Sequence, residues 1–365
     1  MGERDARPRN PRIEALRLIA ILGIAVFHTF QPWFEALTSG SWSPSPAFGA
    51  ALGFVSLLGA YGNHVFFLIS GYFLVPRAAR RARSGGFWSS QVPAAFRRAL
   101  PVLATIAIYA AIALLVSAFV VPMAGVSIHE TGWLVGGLEF IWVYLAVMLL
   151  APAIGWLWSR MGRPCVLVGV LVAVTLAVNA CIAFISPGED VRSLLEWRKL
   201  MSAASYLVAF LAGGALAESG QVRRALARLL GPIVVVALAI EAAAAFSGSL
   251  WLLKALSFKS TSALSFALAA SSLALAVREP RQAWPKPLAS LLCALARSIL
   301  GFYIAQSIFA PLWRPIVAEL CTTALAGGEA ALLAMGIACS IVLLSLLLAF
   351  DQLVRLPLLR LVRLA

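Results

Sequence analysis

Residues 12–34 read RIEALRLIAILGIAVFHTFQPWF. A run of about 20 residues this apolar is long enough to cross a bilayer as a helix, yet it carries three ionisable side chains, Glu14, Arg17 and His28. Arg4, Arg7, Arg9 and Arg12 precede it, as the basic region of a signal peptide would. The run is too long for the apolar core of such a peptide, and no A-x-A-like site follows. It reads as a retained first transmembrane helix.

The same pattern recurs along the chain. Apolar spans lie near 14–34, 48–75, 99–121, 138–158, 165–186, 201–218, 231–248, 257–277, 289–311 and 330–350, the eighth being the weakest because Lys254 and Lys259 crowd its start. Of 365 residues 62% are hydrophobic, against roughly 45–50% in an ordinary soluble domain. Only 12% are charged and the mean hydropathy is +0.93. A soluble enzyme and a disordered chain are excluded. A β-barrel fails too, because the apolar residues come in blocks of about 20 without period-2 alternation. The expected fold is an all-α polytopic integral membrane bundle of about ten transmembrane helices.

The net charge of +14 reports topology. With the N-terminus inside, 21 of the 29 basic residues fall on cytoplasmic segments and 6 on outer loops, a positive-inside pattern that puts both termini in the cytoplasm. The partners this implies are membrane lipids, with no nucleic acid. The stretch Pro76–Arg98 is basic, with Gly85, Gly86, Phe87 and Trp88, and suggests a segment lying on the inner leaflet. No period of 20–50 residues repeats, so residues 1–365 read as one membrane-embedded domain. Five scattered cysteines (Cys165, Cys181, Cys293, Cys321, Cys339) form neither a disulfide framework nor a metal spacing.

Ionisable groups inside spans are costly and usually face a bundle interior or a watery cavity. Glu14 and Arg17 are three residues apart and can pair on one helix face. Arg17 and His28 are eleven apart, within about 20° of whole turns, and share a face over a rise of about 16 Å. That face carries a cation near the inner leaflet and an imidazole toward the outer half; the alternative is a snorkelling arginine and a packed histidine. His64, mid-span beside Asn63, is a second candidate for a polar cavity or a hydrogen bond between helices. Glu139 and Glu241 are expected to be ion-pair structure. There is no H-E-x-x-H, Walker A or G-x-S-x-G, so metal, phosphate-loop and serine-triad chemistry have no support.

Several stretches match a known family in order. Arg12 to His28, with ten residues between Arg17 and His28, resembles the opening helix of the membrane-bound acyltransferase 3 family. Val65–Leu74 (VFFLISGYFL) is similar to its second-helix motif, and Phe96-Arg97-Arg98-Ala99-Leu100-Pro101 to the basic stretch before its third helix. Ile141-Trp142-Val143-Tyr144-Leu145 with Leu149–Pro152, Ala209–Leu216 (AFLAGGAL) and Ser298–Ala305 (SILGFYIA) resemble later helices. The matches run over about residues 12–310. Phe140 and Gln306 stand where many members carry histidine, and Ala95 breaks the family's R-x-x-R form ahead of Arg98.

The resemblance implies an O-acyltransferase moving an acyl group, commonly acetyl from acetyl-CoA, to a hydroxyl of an extracytoplasmic glycan or lipid-linked sugar. It implies a cell-envelope setting, in a bacterial cytoplasmic (inner) membrane, and polysaccharide modification as the outcome. Acyl-CoA would be the co-substrate, with no metal. Such chemistry needs a base near the attacking hydroxyl, and imidazole suits neutral pH; His28 would take that proton. Arg17 would hold a phosphate of the donor or order Glu14 and the cavity mouth. His64, Arg97, Arg98 and Trp142 are further candidates for substrate binding, the two arginines being equally explained as inner-leaflet anchors. A transporter or flippase with His28 and His64 along its path is the second reading, and a non-catalytic polysaccharide-assembly subunit the third. The topology predicts that a cysteine placed in the Ser41–Pro46 loop reacts with an impermeant reagent from outside the cell, and one placed at Ser84 only after permeabilisation.

Overall fold

The computed structural model describes residues 10–185, 197–257, 262–278, 284–362 and 364; Arg4, Arg7, Arg9, Arg192, Lys259, Arg281 and Arg363 lie outside the described residues. The first helix, α1 (Pro11–Thr38), starts where a cap is available: Asn10 Oδ1 accepts from the Arg12 amide at 3.0 Å, and Pro11 occupies the first turn, where its missing N–H costs nothing. Ser45 and Pro46 repeat the device at the start of α2 (Pro46–Arg81). There follow α3 (Phe87–Phe119), a four-residue α4 (Gly132–Val135), α5 (Glu139–Trp158), α6 (Pro164–Phe184), α7 (Trp197–Glu218), α8 (Gly220–Phe246), α9 (Leu250–Leu256) and α10 (Ala263–Ala276). The chain ends with α11 (Lys286–Leu295), α12 (Ile299–Ile308), α13 (Ala310–Leu325), α14 (Glu329–Phe350) and α15 (Leu356–Leu361).

Among the described residues nine helices are long and apolar enough to cross a membrane, with α11–α12 and α14–α15 each counting as one. The protein is an all-α polytopic bundle. The expected eighth span is the exception. Residues 258–261 lie outside the described residues, and α10 has 14 residues, about 21 Å of rise against a hydrocarbon core of about 30 Å. Leu268, Ala269, Ala270, Leu273 and Ala274 of α10 are buried, so protein surrounds it and it does not have to match the bilayer.

Three other expectations change. The basic stretch 76–98 is no separate surface segment: α2 runs on to Arg81 and α3 begins at Phe87, whose ring is buried while Trp88 stays exposed. Residues 312–329, expected as an outer loop, contain most of α13, an amphipathic helix whose apolar residues are interrupted by Arg314 and Glu319. The last span continues beyond Phe350 through a π turn, Asp351–Arg355, into α15.

The longest helix, α2, packs against α1, α5, α7, α8 and α10. Part of its contact with α7 is made by backbones. A Cβ on Gly71 would lie 1.7 Å from the Phe210 carbonyl oxygen, and one on Gly213 2.0 Å from the Leu68 carbonyl oxygen. Small residues permit this approach where lipid supplies no hydrophobic drive between helices. Glu241 of α8 is fully buried beside Gly53, and among the described residues neither carboxylate oxygen has a hydrogen-bond partner; the ion pair expected for it does not form. Glu139, expected to be paired likewise, is exposed in the first turn of α5.

Gly213→Ala should lower thermal stability in detergent by at least the roughly 1–3 kcal/mol typical of overpacking, because the atom met is rigid backbone. Gly85→Ala, with nothing within 4 Å, should leave the melting temperature unchanged.

Candidate active site

The polar residues of α1 are distributed over two levels. At the lower level Glu14, almost fully buried, accepts from Arg17 Nη1 at 3.2 Å. Arg17 keeps 29% of its side-chain surface exposed because it opens into a cavity of about 180 Å³ lined also by Phe66 and Ser70 of α2, Tyr144 of α5, and Arg297, Ile299 and Leu300. The Tyr144 hydroxyl lies beside Ser70 and within electrostatic reach of both Arg17 and Arg98. Arg98 of α3 is half-buried, its Nε has no partner among the described residues, and Arg77 and Arg81 of α2 are in range of it.

Helix geometry turns these contacts into a path. Arg77 and Arg81 lie seven and eleven residues after Ser70, each within about 20° of its face, at rises of about 10 and 16 Å. A file of cations therefore leads from the cavity (Arg17, Arg297) past Arg98 to the basic end of the bundle. The arrangement can hold several phosphates of one ligand by charge-assisted hydrogen bonds.

Arg297 is delivered by a break in the helix. Residues Ala296–Ser298 form a 3₁₀ turn between α11 and α12, and the π turn of the last span braces it. Arg355 Nη2 donates to the Arg297 carbonyl at 3.1 Å and to Asp351 Oδ2 at 2.8 Å, while Tyr109 donates to Asp351 Oδ1 at 2.7 Å. Asp351 is fully buried and Arg355 nearly so, and Gly301 leaves the room the carboxylate occupies.

At the upper level His28, half-buried, sits beside the Phe27 ring at 5.0 Å, with Nδ1 3.3 Å from Gln31 Oε1. The guanidinium of Arg314 on α13 lies within electrostatic range of the imidazole. Thr29 and Ser340 join α1 to α14 at 3.0 Å close by. Between the two levels Ile21 and Ile24 are buried, and Ile24 presses into the notch at Gly62.

A model of the acyltransferase domain family matches residues 10–350, which include both levels and every helix that builds them. The chain belongs to the acyltransferase 3 family. It is an integral membrane protein with acyltransferase activity. No curated protein and no solved structure matches it.

The acyltransferase brings together Glu14, Arg17 and Arg98 of the residues singled out from sequence, and it adds Arg297 and Tyr144. Arg97, about 100° around α3 from the half-buried Arg98, is exposed. His64 is buried between the rings of Tyr206 and Phe266, centroids 6.3 and 5.5 Å away, about 200° around α2 from Phe66 and the cavity. Trp142 is half-buried and donates its indole N–H to the Leu134 carbonyl at 3.1 Å, tying α5 to the segment around α4. Sequence reading passed over Arg297, Asp351 and Arg355. The i,i+4 spacing of the last two was the available signal, lost because the apolar window ends at Phe350. Tyr303 and Gln306, one turn apart on α12, were also passed over as site residues. Both are buried, and the Tyr303 hydroxyl and Gln306 Nε2 have no partner among the described residues.

Removing one member of a buried ion pair leaves the other uncompensated. Arg355→Ala should cost about 3–5 kcal/mol in unfolding measurements, whereas the apolar pair Asp351→Leu with Arg355→Met should recover most of it.

Proposed function

We propose that this acyltransferase takes an acyl group, acetyl in the simplest case, from acyl-CoA on the cytoplasmic side and transfers it to a hydroxyl of an extracytoplasmic glycan or lipid-linked sugar. The observation that carries the reading is the file of arginines. Arg81, Arg77, Arg98, Arg297 and Arg17 lead from the basic end to a cavity inside the bundle, and a donor with a polyphosphate head and a long thin arm fits that layout. The basic end is the cytoplasmic one by the positive-inside rule, and the membrane is a bacterial cytoplasmic membrane. Residues 1–365 act as one domain in this reading.

The chemistry falls to His28. Its imidazole takes the proton of the acceptor hydroxyl as that oxygen attacks the thioester carbonyl carbon. The C–S bond then breaks, and the proton passes to the departing thiolate, giving an ester and CoA. No metal enters this scheme. Arg17 and Arg297 hold donor phosphate, Arg17 steadied by Glu14. The donor arm runs upward along α12, where the Tyr303 hydroxyl and Gln306 amide are two unspent donors for carbonyl oxygen. Because Ile21 and Ile24 close the space between the Arg17 cavity and His28, these side chains move aside when the arm is in place.

His28→Ala should cut turnover by about 10²–10⁴-fold, the range for acid–base groups, with acetyl-CoA binding intact by titration. Arg17→Ala should weaken acetyl-CoA binding, and Arg17→Lys should restore only part of it, since the ammonium lacks the planar fork. Full turnover in a folded His28→Ala protein would refute the mechanism.

A further inference from the structure

The upper level contains more than a histidine. On α1, Gln31 follows His28 by three residues and Glu35 follows Gln31 by four, so the three side chains stack along one face. Gln31 Oε1 meets His28 Nδ1 at 3.3 Å, and Gln31 Nε2 donates to Glu35 Oε1 at 2.8 Å. Each link has a polarity. An ionised carboxylate only accepts, so the amide of Gln31 must turn its NH₂ toward Glu35. Its carbonyl oxygen is then the atom that faces His28, and a carbonyl oxygen also only accepts. Nδ1 must therefore carry the imidazole proton, which leaves the lone pair on Nε2.

We infer that Glu35, acting through Gln31, sets the tautomer of His28 with Nε2 as the basic atom, so that Gln31 and Glu35 are positioning residues for the transfer reaction. The inference rests on the reading of His28 as the base only for its effect on turnover; the tautomer itself is independent of that reading. The other charged group facing the ring is Arg314 from α13, a pure donor that cannot replace Glu35 as an acceptor for the amide. Glu35 is exposed and Gln31 half-buried at the end of the bundle away from the basic surface, so substitutions there spare the core. A neutral imidazole in the wrong tautomer presents N–H where the base is needed, and reactions of this kind are lost when the orienting group is changed.

Reversing the polarity tests this. In Glu35→Lys the ammonium only donates; the amide of Gln31 turns over, its NH₂ faces His28, and the proton moves to Nε2. Adding Gln31→Glu restores an acceptor next to Nδ1 and pairs with the new lysine. The full chain has three histidines, His28, His64 and His129, so histidine-selective ¹⁵N labelling in lipid nanodiscs, assigned by loss of the His28→Asn signals, reads the tautomer directly. The wild type should show protonated Nδ1 and bare Nε2, Glu35→Lys the reverse, and the double variant the wild-type pattern.

Transfer of labelled acetyl from acetyl-CoA into the glycolipid fraction of the host membranes should follow. Glu35→Lys should lower kcat at least about tenfold below Glu35→Ala with KM for acetyl-CoA unchanged, and the double variant should return to within about threefold of wild type. An unreversed tautomer in Glu35→Lys overturns the relay whatever turnover does. A reversed tautomer with unchanged turnover upholds the relay and overturns His28 as the base.

Discussion

A guanidinium inside a hydrocarbon layer needs either a counter-charge or water, and Arg17 has the first and space for the second. Glu14 lies one turn before it, and a cavity opens beside it. The features around it follow from that requirement. The cavity exists because the 3₁₀ turn between α11 and α12 holds the wall open. That turn is braced in turn by a second charged pair, Asp351 and Arg355, which is dry and depends on exact mutual satisfaction. One pair opens onto the cavity, while the other is sealed. The separation of roles follows exposure: Arg17 retains 29% of its side-chain surface and Arg355 5%. A cation that faces a cavity can exchange its partner for another anion, and a sealed one cannot.

The architecture was largely legible in the chain, because the hydrocarbon layer enforces length and composition so strictly. Spans at both ends of the sequence announce themselves through runs near 20 residues. The arginines mark which ends lie together, and α1 shows this directly, Arg12 donating to the Arg278 carbonyl at 2.8 Å. Elements that escape the bilayer constraint were the ones misread. A helix enclosed by protein, α10, can be shorter than the layer is thick. An amphipathic helix such as α13 carries charges that a hydropathy window treats as a loop. Neither obeys the rule that made the other spans readable.

The candidate site was legible where one helix carries it and opaque where several do. Arg17 and His28 share a face of α1, and eleven residues is a spacing that periodicity alone can exploit. Glu14 followed for the same reason. Gln31 and Glu35 lie on that helix too, yet their meaning depends on which atom of each side chain faces the next, and a spacing carries no such information. Arg297 and Arg98 come from elements far apart in sequence, and only the packing of α5 against α2 and α3, and of α12 against α3, brings them near Tyr144. His64 shows the converse. It sits two residues before the cavity-lining Phe66, and the 200° of helix rotation between them turns it into a different neighbourhood.

The backbone contact at Gly71 and Gly213 has a mechanical consequence. Where two helices touch through main-chain atoms there is no rotamer to give way, so α2 and α7 are stiffly joined at that level, with the stacked Phe67 and Tyr206 rings packed above it. The opposite surface of α2 meets α1 through side chains seated in notches, Ile24 at Gly62 and Phe27 at Gly59. Seats of that kind release by a torsional flip. In the proposed reaction, opening between Arg17 and His28 would fall to the α1 surface, with the α2–α7 pair as the fixed member.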